Sequence, residues 1–143
     1  MLIDSYPYFI FDGNAAEAIV FYKTILNAKN IDITYFRDLP EDPDFIIPDE
    51  AKDLVMNASF ELPNGGLFMF SDNFPGMPFS IGEQISTTLI FDNEEETRHV
   101  FKQLSEDGNI LMELQETFWS PLYGNVIDRY GNQWQVSTEL KNQ

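Results

Sequence analysis

Two short strings recur in this chain at fixed distances, and that repetition limits its fold more than any other feature. Ile10-Phe11-Asp12 and Val20-Phe21 return as Ile90-Phe91-Asp92 and Val100-Phe101, each 80 residues later. Phe68-Met69-Phe70-Ser71 falls on Trp134-Gln135-Val136-Ser137 at an offset of 66, with Gly65 falling on Gly131 ahead of each string. Spacing kept without a gap implies a duplicated unit, and a unit with one apolar sheet face must bury that face against something. The expected fold is α+β: two repeated βαβββ modules, about 1–72 and 84–143, with mixed sheets forming a cupped cleft and helices on the outer faces. Phe21 and Phe101 are expected at equivalent places in the two halves.

The order of elements supports the duplication. Ser5 to Phe11 is rich in aromatic and β-branched residues and ends at the turn Asp12-Gly13-Asn14. A helix over 14–27 follows, with Asn14 expected to cap its first amides and Ala18, Phe21, Tyr22 and Ile25 at helical spacing. Ile31 to Phe36 predicts a second strand. Leu54 to Leu62 alternates, with Met56, Ala58, Phe60 and Leu62 on one face and Val55, Asn57, Ser59 and Glu61 on the other. Pro63-Asn64-Gly65-Gly66 then turns into Leu67 to Ser71. After a Pro- and Gly-rich connector, the order restarts with a strand over Gln84 to Phe91, a helix over 94–106 and a strand over Asn109 to Leu114.

The second half ends in a hairpin of Leu122 to Asp128 and Gln133 to Ser137, turned by Asp128-Arg129-Tyr130-Gly131-Asn132. A period of two sends Trp134 and Val136 one way and Gln133, Gln135 and Ser137 the other. Phe68, Phe70, Trp134 and Val136 therefore read as core beneath the helices, and Met69 and Gln135 as residues of the opposite, polar face. Asn57, Ser59 and Glu61 on that face either line a ligand cup or meet water. Phe118, Trp119 and Tyr123 either line a pocket for a flat or apolar ligand or anchor a core or dimer interface. Phe74 to Phe79 would form a partial lid.

Charge excludes several partners. Twenty-four acidic residues against eight basic ones give a net charge of −16, which repels nucleic acid and anionic membrane surfaces. No apolar run approaches the roughly 20 residues of a membrane span, so neither nucleic acid nor membrane is expected as a partner. The chain has no cysteine, which excludes disulfide and thiol chemistry and fits a cytoplasmic protein. Acidic residues crowd the segment Asp38 to Asp53 between prolines. It lacks the glycine and ligand spacing of an EF-hand and reads as a solvated loop.

Two βαβββ modules in a chain of this length resemble the vicinal oxygen chelate superfamily of glyoxalase I, bleomycin-resistance proteins and extradiol dioxygenases. Pro7-Tyr8, Phe11-Asp12-Gly13-Asn14-Ala15, Phe21-Tyr22-Lys23, Ser71-Asp72 with Phe74-Pro75-Gly76, and Gln115-Glu116-Thr117-Phe118-Trp119 resemble its PhnB-like branch. Where that branch commonly continues Gly-Asp-Arg-Tyr-Gly, this chain reads Ser120-Pro121-Leu122-Tyr123-Gly124, with two charges lost. No glycine-rich nucleotide turn opens a helix after a strand, so the demethylubiquinone methyltransferase label frequent in the branch gains no support from the residues.

The resemblance implies a divalent metal held from the first and last strands of each module. Those places fall on Tyr6 or Pro7, Met69, Ser86 and Gln135, a set with no strong anionic ligand. Glu61 and Asp72 are the carboxylates near strand ends that remain for a hard cation. His99 is the single histidine and sits mid-helix, as a surface or packing residue. The expectation is a metal-free protein, without a cofactor, that binds a small-molecule ligand between its modules through Asn57, Ser59, Met69, Ser71, Trp119, Tyr123 and Gln135. The alternative is a glyoxalase- or isomerase-type enzyme using a metal or a carboxylate. No catalytic residue is assigned, and a homodimer is expected, because the sheets leave open edges.

Overall fold

In the computed structural model residues 1–140 are described, and they fall into two compact units, Met1–Ser80 and Ile81 onward. The first contains β1 (Tyr8–Phe11), α1 (Ala15–Leu26), β2 (Lys29–Tyr35), β3 (Val55–Glu61) and β4 (Leu67–Asp72). The second contains β5 (Thr87–Phe91), α2 (Glu94–Ser105), β6 (Asn109–Gln115), β7 (Tyr123–Ile127) and β8 (Gln133–Thr138). Each is a βαβββ module with a mixed sheet, ordered β1-β4-β3-β2 and β5-β8-β7-β6. In both, the first strand runs parallel to the last and the remaining pairs are antiparallel.

The two repeat offsets meet in the sheet register. Ile10 pairs with Ser71 and Ile90 with Ser137; Tyr8 pairs with Met69 and Thr88 with Gln135. The hairpin turns correspond as well. Leu62 N–H donates to the Gly66 carbonyl and Gly65 N–H to the Leu62 carbonyl, as Asp128 N–H does to Asn132 and Gly131 N–H to Asp128. Gly65 and Gly131 both sit at positive φ, 90° and 89°, which a side chain would strain.

Alternation fixes the core. Phe60, Phe70 and Tyr22 are fully buried in the first unit, and the Tyr22 ring stacks on Phe70 at 6.2 Å. Each such side chain contributes about 1.5–3 kcal/mol by leaving water. Trp134, Val136, Val126 and Leu104 fill the same role in the second unit. Phe68, Phe70, Trp134 and Val136 are thus core residues, each on the sheet face that its helix covers.

Several local expectations are corrected. The helices are offset by 79 residues, not 80, because Asp12-Gly13-Asn14 separates β1 from α1 whereas only Asp92-Asn93 separates β5 from α2. The Val-Phe recurrence therefore does not map onto one helix face: Val20 is 62% exposed and Val100 4%, and the buried partner of Phe101 in the first unit is Tyr22. Asn14 makes no side-chain cap. Asp72, at the end of β4, accepts from the N–H of Ala15 and of Gly13 instead. Val55, expected on the polar face, is fully buried. A register shift lets Thr34 pair with Asn57 and Tyr35 with Val55, so one extra residue of β3 turns Val55 inward. Strand β1 begins at Tyr8 rather than Ser5, and β5 at Thr87 rather than Gln84.

Candidate functional site

In the second unit the face opposite α2 is built by alternation in β7 and β8. Asn125 stands across from Gln135, and Gln135 in turn stands beside Thr88 of β5. Tyr123 donates its hydroxyl to Gln135 Oε1 at 2.6 Å, and Gln135 Nε2 donates to Ser86 Oγ at 2.8 Å. Gln133 Nε2 reaches Asn125 Oδ1 at 3.4 Å. These side chains are half-buried.

An aromatic tip adjoins this chain of amides and hydroxyls. Thr117 N–H donates to the Ser120 carbonyl at 2.9 Å and Ser120 N–H to Thr117 Oγ1 at 3.1 Å, which closes a turn with Phe118 and Trp119 at its apex. Phe118 is 98% exposed and Trp119 56%. Trp119 lies edge-to-face with Phe118 at 4.7 Å and with Tyr123 at 5.3 Å. Trp119, Tyr123 and Gln135 are therefore neighbours.

In the first unit the register puts Ser59 across from Met69 and Met69 beside Tyr8, with Ser71 beside Ile10 and Asn57 across from Thr34. Asn57, Ser59, Met69 and Ser71 share one half-buried sheet face. Applying the offset of 66 to Asn57 and Ser59 gives Tyr123 and Asn125, the latter a polar-face residue that sequence reasoning missed although the repeat itself points to it.

A surface cavity of about 520 Å³ lies elsewhere, in the acidic loop between β2 and β3, lined by Arg37, Asp42, Phe45, Ile46 and Lys52 among others. The acidic residues of the loop are exposed, as expected of a solvated loop, and two of them pair with neighbouring bases. Arg37 pairs with Asp53 at 2.9 Å and lies 4.2 Å over the Tyr35 ring, and Lys52 pairs with Asp49 at 2.9 Å. The Lys52 hydrogen bond and charge hold the Asp49 carboxyl below its ordinary range and raise the Lys52 ammonium in return. Phe74, expected in a lid, packs against Phe36 and Phe45. This cavity holds none of the predicted site residues.

The residues at the superfamily's metal positions do not suit a divalent ion. Met69 offers a thioether, and Gln135 and Ser86 are bonded to each other. The two carboxylates considered for a hard cation are engaged elsewhere. Asp72 is buried and accepts from the N–H groups of Gly13, Ala15 and Val55, while Glu61 accepts from Asn30 Nδ2. Among the described residues no group of three or more His, Cys, Asp or Glu stands together. His99 is an exposed residue of α2.

A family model described as 3-demethylubiquinone-9 3-methyltransferase matches residues 4–137. The chain belongs to that family. Protein PA1353 from Pseudomonas aeruginosa is 32% identical, with a TM-score of 0.86 over 98% of this chain and 100% of that one. A PhnB protein from Bacillus cereus is 28% identical, with a TM-score of 0.74 over 96% of this chain and 100% of that one. A glyoxylase/bleomycin resistance protein/dioxygenase domain from Frankia sp. EAN1pec, 10% identical over 100% of this chain and 96% of its own, shares the fold at a TM-score of 0.69. The chain is thus PhnB-like, and its fold is the one seen in the glyoxylase/bleomycin resistance protein/dioxygenase domain. No helix among the described residues is long and apolar enough to cross a membrane.

Proposed function

We propose that this protein binds a small organic molecule without a metal, through the polar faces of its two sheets. Asn57, Ser59, Met69 and Ser71 would supply contacts in the first unit, and Trp119, Tyr123 and Gln135 in the second. The observation that carries this reading is the Tyr123–Gln135–Ser86 chain. Two of its members, Ser86 and Gln135, occupy positions where a metal enzyme of this fold places His, Glu or Gln ligands; only Gln135 is of that kind, and its amide already bonds to Tyr123 and Ser86. Amides, hydroxyls and open aromatic rings suit recognition of a neutral organic group. Methyl transfer is left out of the reading, because the strand-to-helix turns are Asp12-Gly13-Asn14 and Asp92-Asn93, neither a glycine-rich cradle for a nucleotide-like donor.

The same reading makes the protein a cytoplasmic homodimer. Its support is β6, an edge strand whose Ile110, Leu111 and Met112 are all exposed. Light scattering at micromolar concentration should give twice the chain mass; a monomer mass would contradict it. Binding is tested by thermal shift against a panel of small molecules, with and without nickel, zinc, manganese and magnesium. Ligand stabilisation grows as RT ln(1 + [L]/Kd), so weak binders register at high concentration. Stabilisation by organic molecules without metal is the expected result. Tight stoichiometric metal binding lost in Gln135→Ala would favour the alternative, a glyoxalase- or isomerase-type enzyme.

A further inference from the structure

The geometry points to a ligand class for the second unit: a flat aromatic molecule carrying no negative charge, laid on Trp119 with its edge on the Tyr123–Gln135–Ser86 chain. This deepens the binding reading above and rests on it. Three observations converge. The first is the aromatic tip, where Trp119 keeps over half its surface open beside Tyr123. An exposed tryptophan ring held in place is a stacking surface for planar groups, neutral or cationic.

The tip is held, not loose. Ser120 is buried, and its hydroxyl lies 2.8 Å from the carbonyls of both Leu122 and Thr138. That oxygen also accepts from Leu122 N–H and from Ser137 Oγ. One hydroxyl thus ties the base of the tip to β8, and the backbone that carries the rings is ordered on folding rather than on binding. Ser120 is a positioning residue and touches no ligand itself.

The second observation is the polarity of the chain beside the tip. Gln135 keeps one amide N–H and Ser86 its hydroxyl proton after the bonds described. Turning the carboxamide over reverses both bonds, since the Tyr123 and Ser86 hydroxyls each donate or accept. The chain therefore meets either a donor or an acceptor on the ligand's edge.

The third observation is charge. The cations of the second unit's described residues are Arg98 and Lys102 on α2, which packs on the opposite sheet face, and Arg129 in the hairpin turn, within 3.8 Å of Glu106 and Asp107. Glu113 and Glu116 lie on the segment that leads into the tip. An anion on this face would lose water and meet only neutral donors, with no cation of this unit's described residues to offset its charge, inside the field of a chain of charge −16.

The test is isothermal titration of the full chain with three probes of one shape: naphthylmethanol, naphthylmethylammonium and naphthoate. The alcohol and the ammonium should bind at least roughly tenfold tighter than the carboxylate. Trp119→Ala, a change at an exposed position, should abolish that binding with the melting temperature kept, and Ser120→Ala should weaken it. Naphthoate binding as tightly as the alcohol would overturn the ligand class and leave the binding face standing. No heat from any probe would overturn the proposal as a whole. Should the thermal-shift panel then find a ligand whose stabilisation survives Trp119→Ala, the protein remains a binder through other residues.

Discussion

The two units share one backbone plan and differ in where each buries a carboxyl. In the first, Asp72 at the end of β4 accepts from Gly13, Ala15 and Val55 N–H, and so joins the start of α1, the end of β4 and the start of β3. The equivalent place in the second unit is Thr138, whose hydroxyl meets Thr97 of α2 at 2.6 Å, while Asn93 caps that helix itself through Glu96 N–H. The second unit's buried carboxyl is Asp128, at the hairpin turn, which accepts from Tyr130 and Asn132 N–H and from Trp134 Nε1. A duplicated backbone thus tolerates different solutions to one requirement, that every buried polar group find partners.

The largest expected effect separates these solutions. Asp72→Ala would orphan three backbone N–H groups and should cost roughly 3–5 kcal/mol in urea unfolding. Thr138→Val at the equivalent place removes one neutral hydroxyl bond and should cost about 1 kcal/mol. Equal costs would break the comparison. Next comes the pair Ala58 and Gly124, which share a place in β3 and β7. A Cβ on Gly124 would stand 2.6 Å from the Phe101 ring, so Gly124→Ala should cost about 1–3 kcal/mol by overpacking. Calorimetry of that variant showing no loss would mean the ring yields freely. The smallest effect belongs to Lys52→Gln. Asp49 and Lys52 are both exposed, so the melting temperature near neutral pH should not move measurably. Because Asp49 is held low, whatever the pair contributes is present above the carboxyl's ordinary range and lost as pH falls through its folded value.

Much of this was legible from residues alone, for a physical reason. Strand registers obey a strict period of two, so offsets of 80 and 66 carried the sheet pairing and, with it, the faces of Met69, Gln135, Phe70 and Trp134. The helix did not follow, because a single residue added to the first strand-to-helix turn rotates a helix by about 100°. Val20 and Val100 matched in sequence and parted in space. The bulge that buries Val55, and the cap supplied to α1 by a residue 57 positions away, depend on contacts that no local pattern encodes. Of the site, Trp119, Tyr123 and Gln135 were readable as neighbours and Asn125 follows from the offset of 66, whereas the positioning role of Ser120 rests on contacts with β8 that no local pattern encodes.

Binding on the polar sheet face is tested most directly by following backbone, indole and carboxamide N–H resonances in two-dimensional NMR while naphthylmethanol is added. The indole N–H of Trp119 and the side-chain amide of Gln135 should shift and saturate together, while that of Trp134, buried and bonded to Asp128, stays in place. Shifts confined to α2 or to the acidic loop, or none at a saturating concentration, would contradict it.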